Sequence, residues 1–575
     1  MPTLREDEDP IKPDLSVFVT ITLVFIFCVA LRVVCLCSDP YPSLSWSSAL
    51  LTDEGFYLHH ARNAILFSQN LQDQFDNSLI MPLLDLAQRG VFSWFGVGFV
   101  QTRLISVFCS LFSILFLYGS LKNFAGRECA VAAAALYGLD HVTLLYSRMG
   151  LMDTPALLPI LAGFYSFSCA CHSFRNERYG EGNLALFLCG LCLIAGYATR
   201  GLSVLVFPAP LIALTFFPFA EKKQRKKSFV LLLGGLLLGF ALYFMFWMVP
   251  HRIELANVNR FYLTHQLLPG SPSQLLKNIG NAFFGVERGM FPFLLRHTPV
   301  LTIGTLLSLF TFFRERREKP ISPERIFLVS WVLVGWFLCS VISYAPSRYY
   351  VLFLPGMAAL CALTFREKVE SKEVTPFSPF GIKVLKAFCV YHLSLICLSA
   401  VPFSFGVAGV LAILISLLPL NRLSAFLSSF VASNAKRRKM FYTLWTIVNT
   451  GWLLHWSFTL SYTQRDSAQW LTTHLPANSV LYGDVASGLA PDLPFRVVPV
   501  IPGLSNEALP IISPGSPRFL LILDNPYLPK FWKERYPALI QPLQKVQTFP
   551  KIVKFPTILF RFPDTPETRI PYSIM

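Results

Sequence analysis

Apolar runs of membrane-spanning length recur along almost the whole chain, and nothing else in the sequence restricts its folding so strongly. They lie near 15–37, 99–121, 128–146, 154–172, 184–199, 201–219, 228–250, 298–313, 326–343, 347–365, 382–400, 402–420 and 440–461. That is about thirteen spans, at a requirement of roughly 17–25 residues each. The 575 residues are 54% hydrophobic and only 14% charged. A water-soluble domain of this length could not bury so much apolar surface, so the chain reads as a polytopic α-helical membrane protein. The first run has no small-residue cleavage site and reads as a retained helix.

The formal net charge of +16 raises the possibility of nucleic-acid binding, but the distribution of charge argues against it. The basic residues fall in short clusters between apolar runs: Lys222-Lys223-Gln224-Arg225-Lys226-Lys227, Arg314-Glu315-Arg316-Arg317 and Lys436-Arg437-Arg438-Lys439. The connections near 122–127, 173–183, 220–227, 314–325, 366–386 and 421–439 all carry Lys or Arg and are every second loop. The positive-inside rule puts them in the cytoplasm. An odd number of spans then leaves the N-terminus inside and the C-terminus outside, with the long loops 38–98 and 251–297 also outside. All 13 cysteines lie in or beside apolar runs. They read as small buried residues, the Cys189–Cys192 spacing included.

Beyond residue 461 the composition changes. Proline becomes frequent and apolar runs shorten to strand length at 480–482, 496–500, 519–523 and 558–562, with helical stretches near 464–474 and 528–536. The alternation predicts a small α/β domain over 462–575 on the outer face, following a membrane domain over 1–461. It has no glycine-rich phosphate loop.

The chemistry-bearing residues gather on that outer side. Asp53 and Glu54 follow the first span, with Arg62 on the same short helical stretch. Charge this close to hydrocarbon is expensive and invites a functional reading. Three further outer turns carry Arg148 and Asp153 (Ser147 to Pro155), Arg200 (before Gly201), and Arg348 with Tyr349. The loop 251–297 adds Arg252, Asn259, Arg260, His265, Arg288, Arg296 and His297. Arginine suits a phosphate through paired donors, and a carboxylate can act as a general base toward an acceptor hydroxyl. Each feature also has a plainer reading. An arginine at a helix end can snorkel to the headgroups, Asp153 before Thr-Pro can cap a helix, and the acidic pair can form a salt bridge with Arg62 or Arg103. The histidines show no convincing metal-ligand spacing.

Taken in order, these residues resemble the GT-C superfamily of polyprenyl-phosphate-sugar glycosyltransferases, in particular glycosyltransferase family 39 and the lipid A aminoarabinose transferases. The resemblance rests on Asp53-Glu54, Tyr57 and Ala61-Arg62; on Met81-Pro82-Leu83, Phe95-Gly96 and Arg103; on the Ser-Arg-x-Gly-x-x-Asp element Ser147–Asp153; on Arg200-Gly201; and on Arg348-Tyr349 with Pro355. It covers roughly residues 15–365 and the overall topology. It implies Asp53 as catalytic carboxylate, with Asp153 and Glu54 as further acidic residues of the site. Arg62, Arg148, Arg200, Arg348, Tyr349, Arg260 and His265 are its candidates for the donor phosphate.

The implied activity is transfer of a sugar from a polyprenyl-phosphate carrier to an envelope acceptor (lipid A, another glycolipid or glycan, or a protein). It would proceed by inverting displacement at the outer face of a bacterial cytoplasmic membrane, without metal or other cofactor. Two cations of the lipid A enzymes are missing: Phe56 stands at one position and Met81 precedes Pro82 at the other, which puts the aminoarabinose donor and lipid A acceptor in question. The alternatives are a ligase or transferase of lipid-linked oligosaccharides, and a lipid-carrier flippase. The flippase reading lacks the midplane polar residues and internal repeats such proteins use.

Overall fold

The computed structural model describes residues 15–45, 47–68, 77–262, 269–285, 289–317, 320–366, 434–501, 505–506, 517–524, 532–534, 537 and 543–562. The spans expected at 382–400 and 402–420, and His265, lie outside them. Among the described residues six helices are long and apolar enough to cross a membrane: Phe99–Ala125, Asp153–Arg175, Tyr179–Thr199, Lys222–Met248, Pro323–Val341 and Ser347–Phe365. Helices Met290–His297 and Pro299–Glu315, bent by 115°, make a seventh if taken as one span. The first apolar run forms α1 (Leu15–Val33). The protein is an integral membrane protein, and large apolar side chains on its periphery, such as Leu23, Leu237 and Phe246, are exposed as a hydrocarbon surround permits.

Three helices follow α1 before the chain enters the bundle proper: α2 (Ala49–Phe67), α3 (Pro82–Phe95) and α4 (Phe99–Ala125). The run at 128–146 is not one helix. It splits into α5 (Arg127–Gly138) and α6 (His141–Tyr146), because Asp140 leaves the helical path and its carboxylate caps α6 by accepting from the Thr143 N–H at 3.0 Å. Helix α7 (Asp153–Arg175) then packs between α4 and α8 (Tyr179–Thr199). Aromatic contacts tie α7 to the helix Pro323–Val341, with Phe164 and Phe167 lying 4.9 and 5.1 Å from Phe327 between ring centroids.

Helix α7 also orders the two ends of the bundle. Its 23 residues span ~35 Å at 1.5 Å per residue. At its carboxyl end, Arg175 pairs with Glu324 at 2.6 Å. In the same basic layer Arg325 pairs with Glu315 at 2.6 Å, and Gln224 reaches Asn183 at 3.4 Å. The loops near 173–183, 220–227 and 314–325 therefore meet at one end. Asp153 starts α7 at the other.

The C-terminal region contains a five-stranded sheet, β1 (Val480–Tyr482), β2 (Arg496–Val498), β3 (Arg518–Leu523), β4 (Gln544–Ile552) and β5 (Phe555–Arg561), in the order β2-β1-β3-β5-β4. The β2-β1-β3 pairings are parallel and β3-β5-β4 antiparallel. Strands β1, β2, β3 and β5 match the short apolar runs. Strand β4 is absent from the sequence reading because it is an edge strand, mostly exposed and polar, with Pro550 inside it.

Helix α2 departs most from expectation. Its sequence reads as a short amphipathic helix at the bilayer surface. It is instead 19 residues long and buried on several sides, with Asp53, Glu54, Tyr57, His59 and Arg62 all inside. One side belongs to the C-terminal core, where Leu51 packs with Leu481, Val485 and Leu489.

Candidate active site

Four charged side chains from four separate elements converge at the Asp153 end of α7. Asp53 comes from the first turns of α2. Asp153 is the first residue of α7, where the helix N-terminus favours negative charge. Arg200 is the extended residue that ends α8. Arg348 lies in the 3-10 turn Ser347–Phe353, which Ser347 anchors through Tyr146 Oη at 2.9 Å and the Leu44 carbonyl at 2.5 Å.

They form an alternating row. Arg348 Nη1 stands 2.6 Å from Asp53 Oδ2, Arg348 Nε 4.0 Å from Asp153 Oδ2, and Arg200 Nη1 2.5 Å from Asp153 Oδ1. Both guanidinium groups lie over the ring of half-buried Tyr349, at 4.5 Å for Arg200 and 5.5 Å for Arg348.

All four charges are buried, yet the pairing is electrostatic more than hydrogen-bonded. Both Asp153 oxygens, Asp53 Oδ2, Arg200 Nε and Nη1, and Arg348 Nε have no well-directed hydrogen bond among the described residues. Buried polar atoms left in that state cost free energy, and a charged ligand would satisfy them. Burial pushes the Asp53 carboxyl up to about 6, with Arg348 and Arg200 opposing the rise and Asp153 and Glu54 adding to it. Burial likewise raises the Tyr57 phenol, one turn along α2 and in the field of the same charges.

Asp153 does not cap its helix by side chain; that position belongs to Met152, which makes no cap bond. Other candidates are placed elsewhere. Glu54 is fully buried in a two-pronged pair with Arg103 of α4, at 2.8 and 2.6 Å, and also accepts from the Gly150 N–H at 2.7 Å. Its oxygens join α2, α4 and the α6–α7 turn, and the pair is the salt bridge with Arg103 that the sequence also allowed.

Arg62 is likewise engaged by the protein itself. Its guanidinium donates to the carbonyls of Ala490 at 2.9 Å, Leu493 at 2.7 Å and Phe495 at 2.7 Å. Burial pulls it down only to about 10, so it stays charged at neutral pH. Arg148 closes the carboxyl end of α1, donating to the carbonyls of Leu31, Val34 and Cys35 at 2.6–2.7 Å. Arg260 is exposed on the helix Arg252–Tyr262, outside the row.

Asp85 of α3 pairs with Arg89 at 2.7 Å and His60 at 3.1 Å. The sequence reading missed Tyr146 and Ser347 as supports of Arg348. The only local signal was Ser347 preceding the Arg-Tyr pair. Among the described residues no group of three or more His, Cys, Asp or Glu side chains is arranged to hold a metal ion.

The family model described as dolichyl-phosphate-mannose-protein mannosyltransferase matches residues 81–247, the segment carrying Arg148, Asp153 and Arg200. No curated protein sequence matches the chain significantly. Among solved structures, ArnT from Cupriavidus metallidurans bound to undecaprenyl phosphate superposes with a TM-score of 0.51 at 13% identity, covering 95% of this chain and 98% of that one. The same protein in its apo state gives 0.52 at 14% identity, with the same coverage. The chain is thus similar to that mannosyltransferase family over residues 81–247 and to ArnT in fold.

Proposed function

We propose that the protein transfers a sugar from a polyprenyl-phosphate carrier to an acceptor hydroxyl or amine in the cell envelope, with Asp53 as general base. The reading rests on the buried, ion-paired row Asp53–Arg348–Asp153–Arg200, in which Arg200 Nε and Arg348 Nε have no hydrogen bond among the described residues. The undecaprenyl phosphate held by the ArnT structure of similar fold supports a carrier of that chemistry. Acceptor classes consistent with the reading are lipid A, another glycolipid or glycan, and protein. The site and residues 462–575, as a separate domain, would face outward from a bacterial cytoplasmic membrane.

In this mechanism the donor phosphate takes up the Nε donors of Arg200 and Arg348, which have no hydrogen bond among the described residues, while both arginines stay paired with the two carboxylates. Asp53, near 6 in the resting protein, is then deprotonated at neutral pH and takes the acceptor proton. The acceptor atom bonds to the anomeric carbon as the bond from that carbon to the phosphate oxygen breaks on the opposite face. Configuration inverts in one step without an enzyme nucleophile. The departing polyprenyl phosphate gains negative charge, which the two arginines stabilise. Asp153 keeps Arg200 and Arg348 oriented over Tyr349.

Purified protein in nanodiscs with polyprenyl-phosphate sugars and an envelope lipid extract provides the test. Transfer and carrier release in the wild type, lost in Asp53→Asn, are the expected result. Equal transfer by Asp53→Asn overturns the base assignment, and movement of the carrier between leaflets without transfer overturns the enzyme reading.

A further inference from the structure

Helix α2 is a bar with different partners on its two sides. At about 100° per residue, Leu51, Gly55 and Arg62 fall within roughly 40° of one another, and Asp53 lies roughly 160–200° away from them. The first side meets residues 484–495 of the C-terminal region almost backbone to backbone. A Cβ at Gly55 would run into the Ser487 carbonyl, and one at Gly488 into the Leu51 carbonyl. Gln464 bridges the same seam, donating to the Leu51 carbonyl at 3.4 Å and the Gly488 carbonyl at 3.2 Å. Further along, the three bonds from Arg62 to Ala490, Leu493 and Phe495 fix the axial register of the helix. Asp492, in the same segment, accepts from the Phe99 N–H that opens α4 at 3.1 Å.

We infer that residues 484–495 set the position of Asp53 opposite Arg348, with α2 as a rigid spacer and Gly55 and Arg62 as positioning residues. The inference rests on Asp53 being the base. Neither residue touches the ion-pair row. Gly55 governs how far α2 stands from the C-terminal segment, and Arg62 governs how far it slides along it. A side chain at 55 must push the helix toward Arg348, Asp153 and Arg200 or push the segment away. The carbonyls facing Arg62 are backbone atoms, which no rotamer change can withdraw. Misplacement of a reacting group by about 1 Å can cost on the order of 100-fold in rate.

The test compares Gly55→Ala, Arg62→Lys and Asp53→Asn in the full-length protein in nanodiscs. Readouts are kcat and donor KM across pH 5–9, with melting temperature confirming the fold. Gly55→Ala is expected to lose 10–100-fold in kcat with donor KM changed less than threefold. The acid limb of its pH profile should move by at least half a unit, since Asp53 then sits differently among Arg348, Arg200, Asp153, Glu54, Tyr57 and Tyr344. Arg62→Lys keeps the charge but cannot span all three carbonyls. It is expected to show the same change more weakly, and it carries the test if Gly55→Ala does not fold. Inactive Asp53→Asn with wild-type kcat and pH profile in the positioning variants overturns the inference alone. Full activity in Asp53→Asn overturns the base assignment beneath it.

Discussion

Glu54→Gln separates two adjacent carboxylates that look interchangeable in sequence. Glutamine keeps the shape of the side chain and removes its charge. In the native protein both Glu54 oxygens face Arg103, and one also accepts from the Gly150 N–H. A glutamine offers one oxygen and one NH2, so the NH2 must point donor against donor at Arg103 Nη2 or at the Nε and Gly150 pair. Arg103 then stays buried with no counter-charge, held by one neutral amide oxygen and the carbonyls of Leu36 and Ser38, at 2.7 and 2.6 Å. Removing one partner of such a pair costs about 3–5 kcal/mol. At ~2.1 cal/mol/K per residue the unfolding entropy of 575 residues is about 1.2 kcal/mol/K, giving a fall in melting temperature of ~2.5–4 °C. That is a minimum, because helices persist in detergent and the real entropy is smaller. Tryptophan fluorescence melts of the purified protein measure it. Asp53→Asn should fall by less than half as much, since Asp153 still stands 4.0 Å from Arg348. Wild-type melting of Glu54→Gln with transfer abolished would refute this division of roles and return Glu54 to the chemistry.

Other outcomes follow from the same geometry. The transfer rate should fall about tenfold per pH unit below about 6, because burial raises Asp53 to that value and only the ionised form accepts a proton; an acid limb near 4 in a pH–rate profile would contradict it. The same group favours folding fully below its unfolded value of 3.8, and that contribution is lost as pH rises through about 6, which urea unfolding of Asp53→Asn against wild type resolves. Replacing Arg200 or Arg348 with Met should lower kcat by roughly 100-fold or more, measured as carrier release at saturating donor. Arg148→Met should cost about 2–4 kcal/mol of stability through the lost charged bonds to the end of α1, with transfer per folded molecule within twofold of wild type.

The polytopic helical membrane fold was legible because long apolar runs are a local and strong signal, though among the described residues six or seven helices qualify as spans. The four charges Asp53, Asp153, Arg200 and Arg348 stood out in the sequence because each lies outside or at the end of a long apolar run, and the structure brings them within ion-pair distance of one another. Partners far away in sequence were not legible. Arg62 looks like any cation on an outer helix until Ala490, 428 residues on, presents its carbonyl. Arg148 sits beside Asp153 in a motif that reads as a single site, yet it points back to a helix 114 residues earlier. Backbone carbonyls leave no trace in residue identity, so a sequence reader assigns both arginines to a ligand. Glu54 was open for a related reason: pairing with Arg103 and freedom to react are equally consistent with a carboxylate at that position, and only the structure shows the pair.

The turn from Ser147 to Asp153 is a junction of three load paths. Within six residues Arg148 grips the end of the first span, the Gly150 amide grips the acidic helix, and Asp153 grips the arginine that ends α8. An alanine scan would find the whole turn intolerant, though for separate reasons at each position. Only the order in which folding, assembly of the acidic helix and sugar transfer fail would tell them apart. A change at Gly150 or Asp153 should therefore be felt at Asp53, whereas one at Arg148 should be felt as lost stability.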